Sequence, residues 1–255
     1  MTLHIRTLGQ GPDLVMLHGW GFNSAIWHEL LPNLSQHFCV HLVDLPGHGQ
    51  SPALGIEHDA CAIGRLISKH VPDNAIYLGW SMGAIISLTL ALQYPQQVKK
   101  LILVAGTPCF INHTDWQHGV ETNTFEQFAN DLQKNYAATI KRFLTLQSLG
   151  HANQRARIKT LYTMLCQQPQ PNTAALNAGL TLLKNTDIRD ACSSIQQSTL
   201  LIHSDDDKLV PLAAGRYLES TLPQAQFCLL EKMGHIPFIH QPDIFCQHVI
   251  DFCHE

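Results

Sequence analysis

Ser81, at the centre of Gly79-Trp80-Ser81-Met82-Gly83, is the residue of this chain whose surroundings best suit a nucleophile. The pattern G-x-S-x-G alone is weak, since ordinary composition places one in roughly one chain in twenty of this length. Its setting supplies the specificity. It follows the apolar run Ala75-Ile76-Tyr77-Leu78 and leads directly into a helical pattern from Ala84 to Tyr94, the strand, turn and helix that a nucleophile elbow requires. Side chains at 79 and 83 would collide with neighbouring backbone in so sharp a turn. The turn also sets Ser81 at a helix N-terminus, whose unpaired N–H groups and positive end favour a developing oxyanion.

A serine hydroxyl needs a base, and the base an orienting acid; beside an elbow of this kind both follow the serine in the chain. Downstream, the strand-like Leu200-Leu201-Ile202-His203 runs into Ser204-Asp205-Asp206-Asp207-Lys208-Leu209-Val210-Pro211, where three adjacent aspartates leave the acid open. The base is expected at His235, in Met233-Gly234-His235-Ile236-Pro237-Phe238, just past an apolar strand from Phe227 to Leu230. An oxyanion needs two backbone donors. Met82 N–H supplies one, and Trp20 N–H, in the loop His18-Gly19-Trp20-Gly21, is expected to supply the other. The His18 ring is read as a brace for that loop, and Trp20 and Trp80 as walls of an acyl pocket.

These residues require a frame. Leu14–His18, Cys39–Val43, Ala75–Leu78, Leu101–Val104, Leu200–His203 and Phe227–Leu230 read as buried strands alternating with helical stretches, which implies a mostly parallel central sheet flanked by helices. Residues Leu3 to Leu8, followed by Gly9-Gln10-Gly11-Pro12-Asp13, look like an added antiparallel hairpin. From about Phe110 to Thr186 the strand pattern disappears and amphipathic windows take over near 124–133, 137–149, 154–167 and 173–184. The expectation is a discontinuous core, 1–109 with 187–255, carrying a helical lid at 110–186.

Composition narrows the class. The net charge of −4 argues against general nucleic-acid binding. No apolar run approaches the roughly 20 residues of a membrane helix, and no secretory signal opens the chain, so a cytoplasmic enzyme is expected. The eight cysteines lack any C-x-x-C pair and read as reduced core residues. The 16 histidines show no H-x-E or H-E-x-x-H spacing, so no metal or other cofactor is expected.

With Leu17-His18-Gly19-Trp20-Gly21, Asp44-Leu45-Pro46-Gly47-His48-Gly49-Gln50-Ser51, the elbow and Gly234-His235, the chain resembles the α/β-hydrolases. Leu78-Gly79-Trp80-Ser81, Thr107-Pro108-Cys109-Phe110, Arg142-Phe143-Leu144-Thr145-Leu146-Gln147 and Leu176-Asn177-Ala178-Gly179-Leu180 make it more similar to the pimeloyl-acyl-carrier-protein methyl ester carboxylesterases of biotin synthesis, the BioH type. The fold's usual D-x-x-V-P step favours Asp207 as the acid, although Ser204 stands where glycine is common. The resemblance implies a substrate channel lined by Phe143, Leu144, Thr145, Leu146 and Gln147. It also implies that Arg142, Arg155 and Lys159 dock an acyl-carrier protein bearing the pimeloyl methyl ester. From Leu132 to Thr186 there is no acid but seven lysines and arginines, an independent sign of a basic surface for an acidic partner or a phosphate. The chain is read as a monomer. The alternatives are a broad short-chain carboxylesterase, lipase or thioesterase and, from another class, a non-catalytic binding protein on the same fold.

Overall fold

The computed structural model describes residues 2–53, 59–147, 159, 161–164, 169 and 171–255. Seven strands, β1 (Ile5–Leu8), β2 (Asp13–Leu17), β3 (Cys39–Val43), β4 (Ala75–Trp80), β5 (Val98–Val104), β6 (Ser198–His203) and β7 (Ala225–Leu229), form one sheet in the order β1-β3-β2-β4-β5-β6-β7. All neighbours are parallel except β1 and β3. The expected hairpin at the N-terminus is therefore wrong: β1 is antiparallel, but it pairs with β3, because both edges of β2 are taken by β3 and β4.

The central strand β4 is buried along all six residues, as an unbroken apolar run in a parallel sheet should be. It is followed by α3 (Met82–Gln93), in which every residue from Met82 to Ala91 is buried. That helix lies under the sheet and against α2 (Ala60–Ser68), whose N-cap Asp59 accepts the Ala62 N–H at 2.6 Å. The short α1 (Leu31–Leu34) precedes β3, and α7 (Leu212–Thr221), α8 (Pro237–His240) and α9 (Pro242–His254) complete the layers. The long β5–β6 connection carries α4 (Thr122–Lys134), α5 (Tyr136–Gln147) and α6 (Thr173–Asn185). Its two ends meet, with Cys109 and Asp187 in an isolated antiparallel bridge and Ile188 N–H donating to the Pro108 carbonyl at 3.1 Å.

The chain runs outward from β2 to β3 in one direction and then from β4 to β7 in the other. The crevice between the carboxyl ends of β2 and β4 is where such a sheet accepts ligands.

Candidate active site

Four of the loops at the carboxyl ends of the strands carry the expected residues: Trp20 after β2, Ser81 after β4, Asp207 after β6 and His235 after β7. Ser81 has φ 56° and ψ −116°, the left-handed strain of an elbow, held because the turn is pinned on both sides. Its N–H donates to the Val104 carbonyl at 3.0 Å and its carbonyl accepts from Ala84 and Ile85. The elbow fits only without side chains at its ends. A Cβ at Gly83 would lie 2.2 Å from the Leu17 carbonyl oxygen, and one at Gly79 2.3 Å from that of Gly83. Met82 is the first residue of α3, so its N–H lies among those that an α-helix leaves without an internal partner.

The acid and the base are fixed by hydrogen bonds. Asp207 Oδ2 lies 2.8 Å from His235 Nδ1, and both side chains are almost wholly buried. Asp207 Oδ1 accepts from the Leu209 and Val210 N–H groups at 2.8 and 3.0 Å, which fixes the orientation of the carboxylate. With Nδ1–H donating to Asp207, the Nε2 lone pair of His235 is left to accept a proton. Asp205 and Asp206 do not compete. Asp205 accepts from Lys232 N–H at 2.7 Å, and Asp206 accepts from Gly234 N–H at 2.7 Å and from the Ser204 hydroxyl. Ser204 Oγ in turn accepts from the N–H groups of Met233 and Gly234. The serine that departs from the usual glycine thus ties the acid loop to the histidine loop.

His18 braces the Trp20 loop as expected. Its Nδ1 donates to the Gly19 carbonyl at 2.8 Å, and its Nε2 accepts from Leu45 N–H at 3.0 Å. The second bond needs a lone pair, so the ring is neutral, and burial lowers its pKa against the opposing pull of Asp44. Trp20 Nε1–H donates to the Leu176 carbonyl of α6 at 2.9 Å.

A cleft of about 100 Å³ opens above Ser81, lined also by Trp20, Phe110, Phe128, Phe143 and Leu180. Trp20 meets Phe128 and Phe143 edge-on, with centroids 5.4 and 5.2 Å apart. Trp80, expected as a second wall, is not among the lining residues. It is buried beneath the elbow against Phe22, Trp27 and Phe238, and its Nε1–H donates to the His235 carbonyl at 2.8 Å. Of the expected channel residues, Phe143 lines the cleft, Leu144 is fully buried in the core, and the Thr145 hydroxyl donates back to the Lys141 carbonyl. Leu146 and Gln147 continue α5, but their side chains lie outside the described residues. Sequence reasoning did not single out Phe125 and Phe128 of α4 as lining residues; their i, i+3 spacing was the available signal.

The basic stretch is partly compensated. Arg142 is exposed and 3.8 Å from Asp131, Lys184 pairs with Glu126 at 2.9 Å, and Lys159 is exposed. Arg155 lies outside the described residues, as does most of the helical window at 154–167. Among the described residues no helix is long and apolar enough to cross a membrane. Two groups of three potential metal donors, Asp13-Cys39-His41 and Cys109-His113-Asp187, occur among them, and neither contains Ser81, Asp207 or His235.

Residues 12–242 match the family described as "alpha/beta hydrolase fold". The chain is 39% identical over 99% of its length to the pimeloyl-[acyl-carrier protein] methyl ester esterase of Vibrio parahaemolyticus, covering 98% of that protein. It is 38% identical over 96% of its length to the protein of the same name from Nitrosomonas europaea, again covering 96% of it. Among solved structures, an esterase from Exiguobacterium antarcticum superposes with a TM-score of 0.90 over 99% of this chain and 96% of that one, at 20% identity; this likeness shows the fold alone.

Proposed function

Since the chain belongs to the α/β-hydrolase fold family and, within it, to the pimeloyl-[acyl-carrier protein] methyl ester esterases, we propose that it hydrolyses the methyl ester of a pimeloyl chain borne by acyl-carrier protein and releases methanol. The observation that carries the chemistry is the buried 2.8 Å contact of His235 Nδ1 with Asp207 Oδ2, together with a strained Ser81 at the floor of an apolar cleft.

Ser81 Oγ attacks the ester carbonyl while His235 Nε2 takes its proton, and Asp207 stabilises the imidazolium that forms. The N–H groups of Met82 and Trp20 receive the oxyanion. His235 then returns the proton to the departing methoxide. Water, deprotonated by the same nitrogen, cleaves the acyl-enzyme and restores the Ser81 hydroxyl. The helical segment 110–186 acts as the lid. Its cleft is walled by aromatic and aliphatic side chains, which suits an alkyl chain reaching inward from a carrier held outside. Arg142, Arg155 and Lys159 are the docking residues, with Lys159 offering charge without the bidentate fork of an arginine. The reaction takes place in the cytoplasm.

The test compares pimeloyl-carrier methyl ester with a small p-nitrophenyl ester. Ser81→Ala should abolish turnover of both, by about 10⁶-fold in kcat; wild-type turnover by that variant would remove Ser81 as nucleophile. Arg142→Glu with Arg155→Glu and Lys159→Glu should depress only the carrier substrate. Equal loss on both substrates would count against docking and favour a broad carboxylesterase.

A further inference from the structure

Away from Ser81, at the opposite end of the strands, three side chains of different donor chemistry converge. Asp13 and Cys39 open β2 and β3 and are register partners, and His41, two residues further along β3, faces the same side of the sheet. A carboxylate oxygen, Sγ and a ring nitrogen, one from each, all lie within 4.8 Å of one another. His41 Nε2 is 2.7 Å from Asp13 Oδ1. On the other side of the ring, Nδ1 is 3.1 Å from the hydroxyl of Thr7, the register partner of His41 on β1. His41 is buried while Asp13 and Cys39 are half-buried, so the group is anchored by the sheet and accessible from solvent.

We propose that Asp13, Cys39 and His41 bind one zinc-class divalent cation, with water as the fourth ligand. A thiolate, an imidazole and a carboxylate together select zinc or cobalt(II) over magnesium and calcium, which take oxygen donors. Three protein ligands and one open position form a familiar tetrahedral set. Zinc bonds of about 2.0 Å to N and O put tetrahedral ligands about 3.3 Å apart, so the His41–Asp13 pair opens by about half an ångström while Cys39 Sγ, within 4.8 Å of both, closes in. The protons balance. The His41 proton that Nε2 donates to Asp13 moves to Nδ1, where it donates to Thr7 Oγ1 as the hydroxyl turns, and Nε2 gives its freed lone pair to the metal; the Cys39 thiol releases one proton to solvent; the Asp13 carboxylate exchanges its hydrogen bond for a metal bond. Thr7 orients the ring, the usual task of a residue behind a metal ligand. The bound cation would fasten β1, β3 and β2 together. The second group is less suited, because the Asp187 carboxylate is already gripped by Arg189 through both oxygens at 2.7–3.0 Å.

The experiment titrates chelator-stripped, reduced protein with cobalt(II), follows the thiolate-to-cobalt charge-transfer absorption, and then displaces the ion with zinc. One equivalent should develop the band. Cys39→Ser should abolish it, Thr7→Val should weaken binding about tenfold, and Cys109→Ser should leave it intact. Saturating zinc should raise the melting temperature of the wild type and not that of Cys39→Ser. Hydrolysis of a p-nitrophenyl ester by metal-free Cys39→Ser should match that of the metal-free wild type, because the group sits at the far end of the strands. No band in the wild type, a band that survives in Cys39→Ser, or one that disappears in Cys109→Ser would overturn the assignment.

Discussion

His203 ends β6 with its ring fully buried and stacked on Phe227, the planes 18° apart and the centroids separated by 5.5 Å. Gly215 backs the ring so closely that a Cβ there would meet it at 2.7 Å. Neither ring nitrogen has a hydrogen-bond partner among the described residues, so a proton on this ring would create a charge with nothing to solvate it. Burial accordingly pushes its pKa from 6.5 down to about 4, against the pull of Asp207 and with help from His235 and Arg216. The unfolded chain takes up this proton near pH 6.5 and the folded protein only near pH 4, so between these limits the unfolded state binds more protons and stability is lost as the pH is lowered. A displacement of about 2.5 units at ~1.36 kcal/mol each makes the loss about 3 kcal/mol by pH 4. Urea unfolding at a series of pH values, for the wild type and for His203→Phe, measures it. Groups remote from His203 are common to both proteins, so the difference between the two pH curves reports His203 together with its coupling to Asp207, His235 and Arg216. It should change by about 3 kcal/mol from pH 7 to pH 4. Parallel curves would refute the reasoning, whatever the absolute stability of the variant.

Asp207→Asn should leave the fold intact while lowering kcat on a small ester about 10⁴-fold, because the amide no longer selects the Nδ1–H tautomer of His235; steady-state kinetics and circular dichroism read the two parts separately. Gly83→Ala should destabilise by about 3 kcal/mol or prevent folding, since the new methyl group meets the Leu17 carbonyl and backbone cannot give way as a side chain does; thermal melting decides it, and an unchanged melting temperature would mean that the elbow is looser than its geometry implies.

What could be read from the sequence was local. The elbow announces itself because its glycines, strand and helix are contiguous, and the order of serine, acid and histidine follows from the same sheet. Spacing alone leaves the acid open among three neighbours, the D-x-x-V-P step of the resembled fold favours Asp207, and Asp205 and Asp206 instead hold the N–H groups of Lys232 and Gly234. Pairing between distant segments was not legible. The edge strand Ile5–Leu8 was assigned to a hairpin because its nearest apolar neighbour in sequence is β2, whereas its partner β3 begins 31 residues beyond Leu8, at Cys39. The Asp13-Cys39-His41 group exists only through the register of β2 and β3, which no spacing rule encodes. Five consecutive residues, 143–147, could not all line one channel from a helix, where each step turns by about 100°; Phe143 faces the cleft and Leu144 the core. Trp80 precedes Ser81 on a strand, and the alternation of faces carries its indole away from the cleft.

The bridge between Cys109 and Asp187 has an engineering consequence. Because the core itself brings these two positions side by side, the length of chain that loops out between them adds little to the entropy of closing it, a dependence that grows only logarithmically with length. A shorter cap, or one taken from a relative with another substrate, could be spliced between residues 109 and 187 without rebuilding the sheet. The scaffold that holds serine, histidine and aspartate would keep its register while a new roof decides what reaches them.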